Sequence, residues 1–61
     1  MKHREFVRHL VDQGCILLRE GGKYSIFQNP KNGKSVPVTR HMEIADFVAR
    51  KICRNLDVPT P

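Results

Sequence analysis

The sequence predicts an α+β fold: a two-layer sandwich of order α-β-β-β-α, with two helices on one face of a three-stranded antiparallel sheet. Three observations predict it. Apolar residues recur at helical spacing near both ends of the chain. The middle holds short apolar or alternating runs of strand length. Two glycine-containing turns separate those runs.

The first helix is expected from Lys2 to Gln13. Phe6, Val7, Leu10 and Val11 repeat at three- and four-residue intervals, with Lys2, Arg4, Arg8 and Asp12 among the polar remainder. Gly14 follows where a left-handed residue would end the helix. The run Cys15 to Arg19 reads as a first strand, and Gly21-Gly22 as the turn that closes it. Tyr24 to Gln28 reads as a second strand, with Tyr24 and Ile26 on one face and Ser25 and Phe27 on the other. The pattern does not say which face meets the helices. Asn29-Pro30-Lys31-Asn32-Gly33 is dense turn chemistry, and its Asn-Gly pair tolerates positive φ. Ser35 to Val38 is a third strand, whose Pro37 cannot donate to a ladder and so asks for an edge. Thr39 to Met42 is a polar connection. A second helix is expected from Glu43 to about Leu56, with Ile44, Phe47, Val48, Ile52 and Leu56 as its apolar stripe. Glu43 and Asp46 near its start, with Lys51 and Arg54 near its end, suit the helix dipole. Val58-Pro59-Thr60-Pro61 reads as a short tail.

With 61 residues the chain is read as a single domain spanning 1–61. A fold this small buries only about 60% of the surface its unfolded chain exposes, so a reactive site is expected on an open face. Eleven Lys and Arg against six Asp and Glu give a formal net charge of +5, which favours a polyanionic partner such as RNA. Cys15 and Cys53 lack metal-ligand spacing and sit in apolar runs, so they read as reduced core thiols. No stretch approaches the ~20 apolar residues of a membrane span, and the start is charged from Lys2 to Glu5. A cytoplasmic location is the expectation.

The stretch Leu17-Leu18-Arg19-Glu20-Gly21-Gly22-Lys23-Tyr24-Ser25-Ile26-Phe27 resembles the central hairpin of the HicA toxins. His41-Met42-Glu43-Ile44 with Phe47, Ala49-Arg50-Lys51-Ile52-Cys53 and Leu56 is similar to the closing segment of that family. The opening helix, with Phe6, Leu10 and Gly14, also fits. The likeness covers nearly the whole chain, although no one motif is specific. It implies a fold like the double-stranded-RNA-binding domain. It implies a toxin of a toxin–antitoxin system, an endoribonuclease (an mRNA interferase) that cleaves mRNA without metal or other cofactor. It also implies a partner protein, an antitoxin of the HicB type, that masks the active surface. The resemblance places the family's catalytic histidine at position 24, after a glycine that matches Gly22. Here the residue is Tyr24.

That departure matters chemically. Metal-free RNA cleavage uses the neighbouring 2′-hydroxyl as nucleophile, and a base must take its proton. Imidazole, with a usual pKa near 6.5, suits this task. A phenol with a usual pKa near 10 is ionised to only about one part in a thousand at pH 7. Weak or absent nuclease activity is therefore the expectation. A non-catalytic RNA-binding or protein-interaction module on the same scaffold stands as the alternative.

Other candidates follow from charge and position. Gly22, Lys23, Lys34, Arg40 and His41 are read as RNA-binding residues, with the cations holding phosphates; Lys31 belongs to the same group of charges. Each also admits a plainer reading as a solvated loop residue. Tyr24 could stack on an unpaired base, or serve as an ordinary cross-strand aromatic. His41 is the strongest acid–base candidate after position 24, although it reads more simply as a polar turn or helix-start residue. His3 and His9 read as solvated helix residues. Gly21-Gly22 leads into a strand and lacks the Gly-x-x-x-x-Gly-Lys pattern, so it is no phosphate loop. Asp12, Glu20, Glu43 and Asp46 are scattered and form no paired-carboxylate site. A membrane-surface role is disfavoured, because the second helix needs its apolar stripe for the core.

Overall fold

The computed structural model describes residues 1–61. The elements are α1 (His3–Asp12), β1 (Ile16–Glu20), β2 (Tyr24–Asn29), β3 (Lys34–Thr39) and α2 (Asp46–Leu56). The strands form one antiparallel sheet in the order β1-β2-β3. The α+β class, the element order and the edge position of Pro37 are as the sequence predicts.

Alternation along β2 decides which face meets the helices. Ser25, Phe27 and Asn29 are buried, while Tyr24, Ile26 and Gln28 lie on the opposite face. Val36 and Val38 of β3 join the buried set. They pack with Phe6 and Leu10 of α1 and Ala49, Ile52, Cys53 and Leu56 of α2 in a single core. Ile44 and Cys15, just outside the elements, complete it. Fully burying one such aliphatic or aromatic side chain contributes roughly 1.5–3 kcal/mol.

The β2–β3 register follows from its turn. Asn29 pairs with Lys34 across Pro30–Gly33, and the ladder runs without a slip to Tyr24 opposite Thr39. Gly33 has φ 75°, the left-handed value that the Asn-Gly pair accommodates. Beyond β3 the Arg40 N–H still donates to the Lys23 carbonyl at 3.2 Å. Hydrogen-bonded pairs alternate along an antiparallel ladder, so Ile26 and Pro37 form a non-bonded pair. The Pro37 nitrogen therefore faces outward from the edge, where no donor is needed.

Both helices end in the same way. Gly14, at φ 90°, donates to Val11, and Cys15 donates to Leu10. Asp57, at φ 59° and ψ 47°, donates to Arg54, and Val58 donates to Cys53. Each is the paired closure of a Schellman motif, with an apolar residue after the left-handed position. The Leu56 carbonyl also accepts from Asn29 Nδ2 at 2.9 Å and Asn32 Nδ2 at 3.1 Å. Those two amides fix the end of α2 to the β2–β3 turn.

Three expectations need correction. The second helix starts at Asp46, not Glu43, because residues 42–44 pair with the chain ahead of α1. Lys2 and Glu43 form an isolated antiparallel bridge, His3 N–H donates to Met42 O, and Ile44 N–H donates to Met1 O, both at 2.8 Å. Ala45 is extended and occupies the N-cap position, with no side-chain hydrogen bond to the first turn. Ala49, Ile52, Cys53 and Leu56 share one stripe, and helical spacing places Phe47 on the opposite side of α2, where it is 68% exposed. On α1, Val11 likewise falls outside the buried stripe of Phe6 and Leu10. Finally, β1 is not regular: Leu17 pairs with Phe27 and Arg19 with Ile26, so Leu18 is the extra residue of a bulge. Every residue of β1 is exposed, and the core draws its strand residues from β2 and β3 alone.

Candidate nucleic-acid interface

The open end of the hairpins is where the sequence's polar candidates meet. Gly21 N–H donates to the Tyr24 carbonyl at 2.7 Å, which closes the β1–β2 turn with Gly22 and Lys23 at its tip. A Cβ on Gly21 would come 3.3 Å from that carbonyl, whereas one on Gly22 would meet nothing. Gly21 is thus the tight position, and Gly22 leaves bare backbone open beside Tyr24.

Across the sheet, the end of β3 brings Thr39 opposite Tyr24 and Arg40 opposite Lys23. Arg40 Nη1 donates to the Gly21 carbonyl at 2.9 Å, and Nη2 lies 4.0 Å from Glu20. The guanidinium therefore straps the β1–β2 turn to the exit of β3. A guanidinium carries five donors, so one carbonyl leaves most of them free.

Together Gly22, Lys23, Tyr24, Thr39, Arg40 and His41 line a concavity of about 410 Å³. No carboxylate lines it. Tyr24 is 48% exposed and lies on the face opposite the helices, away from the core. The arrangement offers an anchored guanidinium, an exposed ammonium, an imidazole, a phenol and a hydroxyl on one shallow wall. Such a wall can hold a phosphate and present an aromatic ring to a base.

Five of the six candidates named from the sequence thus converge: Gly22, Lys23, Tyr24, Arg40 and His41. Lys31, in the β2–β3 turn, does not join them, and neither does Lys34. Lys34 pairs with Asn29 at the far end of the hairpin, and its N–H donates to Asn32 Oδ1 at 2.8 Å. Five strand steps separate it from Thr39, about 17 Å at the usual rise. Thr39 is the residue that sequence reasoning missed. Its signal was the hairpin register, which sets it opposite Tyr24.

The remaining titratable candidates are used elsewhere. His9 Nε2–H donates to the Pro59 carbonyl at 2.7 Å and holds the tail against α1. His3 is not a fully solvated helix residue, since its Nε2 is buried with no partner within the chain. Cys15 and Cys53 are free and lie in the core. Burial pushes both thiols up, and at Cys53 the neighbouring Cys15 adds to the effect. Such thiols are poor nucleophiles. No three His, Cys, Asp or Glu side chains converge as a metal-binding group would require. No helix is long and apolar enough to cross a membrane.

A family model described as the HicA toxin of bacterial toxin–antitoxin systems matches residues 3–58, from the first residue of α1 to just past α2. No curated protein and no solved structure matches the chain.

Proposed function

Because the chain belongs to the HicA toxin family, we propose that it is the RNA-cleaving member of a toxin–antitoxin pair, acting on mRNA without a metal ion. The observation that carries this reading is the cationic, carboxylate-free concavity around Tyr24. Lys23 and Arg40 hold the phosphate next to the scissile bond. Tyr24 occupies the position where the resemblance expects a histidine, and its ring lies against the ribose or base.

Cleavage then follows the transesterification route. The 2′-hydroxyl loses its proton and its oxygen attacks phosphorus. The bond to the 5′-oxygen breaks, that oxygen gains a proton, and a 2′,3′-cyclic phosphate remains. The His41 imidazole is the group in this concavity that takes the first proton. Lys23 and Arg40 stabilise the charge that builds on the phosphoryl oxygens. A HicB-type antitoxin inhibits by covering the concavity, which is shallow enough to be capped by a protein surface. One observation favours a second reading, a non-catalytic RNA-binding module: the phenol at position 24.

The test is an RNA cleavage assay in EDTA with the wild type, His41→Ala and Tyr24→His. General acid–base catalysis contributes roughly 10²–10⁴-fold, so His41→Ala is expected to lose at least about 100-fold. Tyr24→His is expected to cleave faster than the wild type. Equal rates for wild type and His41→Ala remove His41 from the reaction. Binding without turnover in all three proteins favours the second reading.

A further inference from the structure

A second concavity, of about 590 Å³, lies beside the first and is lined by Lys2, His3, Arg4, Arg40, Met42 and Glu43. Arg40 lines both. We propose that Lys2, Arg4 and Arg40 form a second phosphate-binding subsite, so that a single RNA strand runs from the Tyr24 concavity across Arg40 to the start of α1. The inference rests on the RNA reading above and extends it from one bound nucleotide to the path of the chain.

Three observations carry it. First, the charges are lopsided: Lys2, Arg4 and Arg40 face one acid, Glu43. Second, the walls are tied by backbone. His3 N–H donates to Met42 O, Ile44 N–H donates to Met1 O, and Lys2 bridges Glu43, so the cations on α1 are held beside those at the end of β3. Third, Arg40 cannot swing freely, since the Gly21 carbonyl holds Nη1 at 2.9 Å. Held at Nη1 by Gly21 and with Nη2 4.0 Å from Glu20, the guanidinium stays in the wall that the two concavities share. Consecutive phosphates of one strand are the polyanion that such a shared cation fits. The half-exposed ring of Tyr24 at the other end of the track suits an unpaired base.

The experiment measures binding of a 2′-O-methyl oligoribonucleotide of about ten nucleotides, which spans a typical single-strand site and cannot be cleaved through its 2′-oxygen. Fluorescence anisotropy is followed across salt concentrations for the wild type, Lys2→Ala/Arg4→Ala and Lys31→Ala/Arg54→Ala. All four replaced side chains are exposed, and the two double variants carry the same net charge. Lys31 and Arg54 lie near the opposite end of the molecule, where the β2–β3 turn meets the end of α2.

Each phosphate contact to a single strand contributes about 0.7 to the slope of log affinity against log salt. Losing two lowers the slope by about 1.4. Between about 50 and about 200 mM salt, wild-type affinity should therefore fall about sevenfold more than that of Lys2→Ala/Arg4→Ala. The Lys31→Ala/Arg54→Ala slope should match the wild type. A wild-type slope in Lys2→Ala/Arg4→Ala, or an equal drop in both double variants, overturns the second subsite and leaves the Tyr24 concavity standing. A wild type that does not bind the oligomer at all refutes the RNA reading itself.

Discussion

Replacing Arg40 with alanine tests the fold and the site with one change. The side chain makes a charge-assisted hydrogen bond to the Gly21 carbonyl at 2.9 Å and a looser approach to Glu20 at 4.0 Å. A hydrogen bond to a charged group is worth about 1.5–3 kcal/mol when shielded from water. Here the side chain is 46% exposed, so solvent screening reduces the loss to about 0.5–1 kcal/mol. A chain of this length has a stability of about 3–9 kcal/mol, so the variant remains folded at 25 °C. Thermal unfolding followed by circular dichroism should show Tm lowered by about 2–8 °C. Binding of the uncleavable oligomer should lose about 0.7 or more of its salt slope, because Arg40 borders both concavities. Arg40→Lys restores the charge without the planar fork, so it should recover the salt slope more fully than the Tm. A lowered Tm with an unchanged salt slope makes Arg40 a turn anchor and nothing more. Unchanged values of both would refute the reasoning altogether.

Two further outcomes follow from the backbone and the core. Asp57 holds a left-handed conformation that costs a side-chain-bearing residue about 1 kcal/mol, whereas Gly14 performs the same task at the end of α1. Asp57→Gly is therefore expected to raise Tm by about 2–8 °C, and Gly14→Ala to lower it by a similar amount. A fall in Tm for Asp57→Gly would contradict the account of the α2 terminus. The buried thiols give a pH dependence with a definite sign. Folding raises both pKa values, so the unfolded chain ionises first as the solution becomes alkaline. Their contribution is complete below about pH 8.5, the ordinary thiol value, and is lost as pH rises towards the folded-state values. Urea unfolding at about pH 7.5 and about pH 9.5 should show a decline that Cys15→Ala/Cys53→Ala reduces. A wild type more stable at the higher pH would reverse the sign and reject the argument.

The fold was legible wherever a local cause acts alone. Gly14 ends α1 because only the backbone at that residue has to turn left-handed, and glycine does so without strain. Pro37 marks an edge because it lacks a donor. The misjudged places depend on distant partners. Glu43 and Asp46 look like the acidic first turn of one helix, yet Glu43 is drawn into a bridge with Lys2, forty-one positions earlier in the chain. Phe47 was grouped with Ile44, yet Ile44 reaches the core from outside the helix, and within α2 helical spacing sets Phe47 opposite the stripe of Ala49, Ile52, Cys53 and Leu56. The Leu18 bulge leaves no trace in an apolar run of Ile, Leu and Leu, because any of the three could be the unpaired one. The core face of β2 was undecided for the same reason: both faces carry apolar residues, and only the helices choose between them.

The site was legible to the extent that a hairpin register can be read from its turn. Asn29-Pro30-Lys31-Asn32-Gly33 closes a four-residue loop between Asn29 and Lys34. In an unbroken antiparallel ladder each step away from the turn advances one residue on both strands, so Tyr24 must face Thr39 and Lys23 must face Arg40. The same arithmetic of steps sends Lys34 to the turn end, although along the sequence it stands nearer to Arg40 than Lys23 does. Closeness in sequence was the wrong metric for grouping the cations, and register was the right one. Arg40's hold on Gly21 lies beyond either, because it joins the exit of β3 to a turn between two other strands. The Lys2 and Arg4 wall lies further still, since it needs the bridge between residues 2 and 43 before the two ends of the chain meet. The β2–β3 register and the bridge between residues 2 and 43 together set Lys2, Arg4, Lys23 and Arg40 along two adjoining concavities, a grouping that the charge counted from composition does not contain.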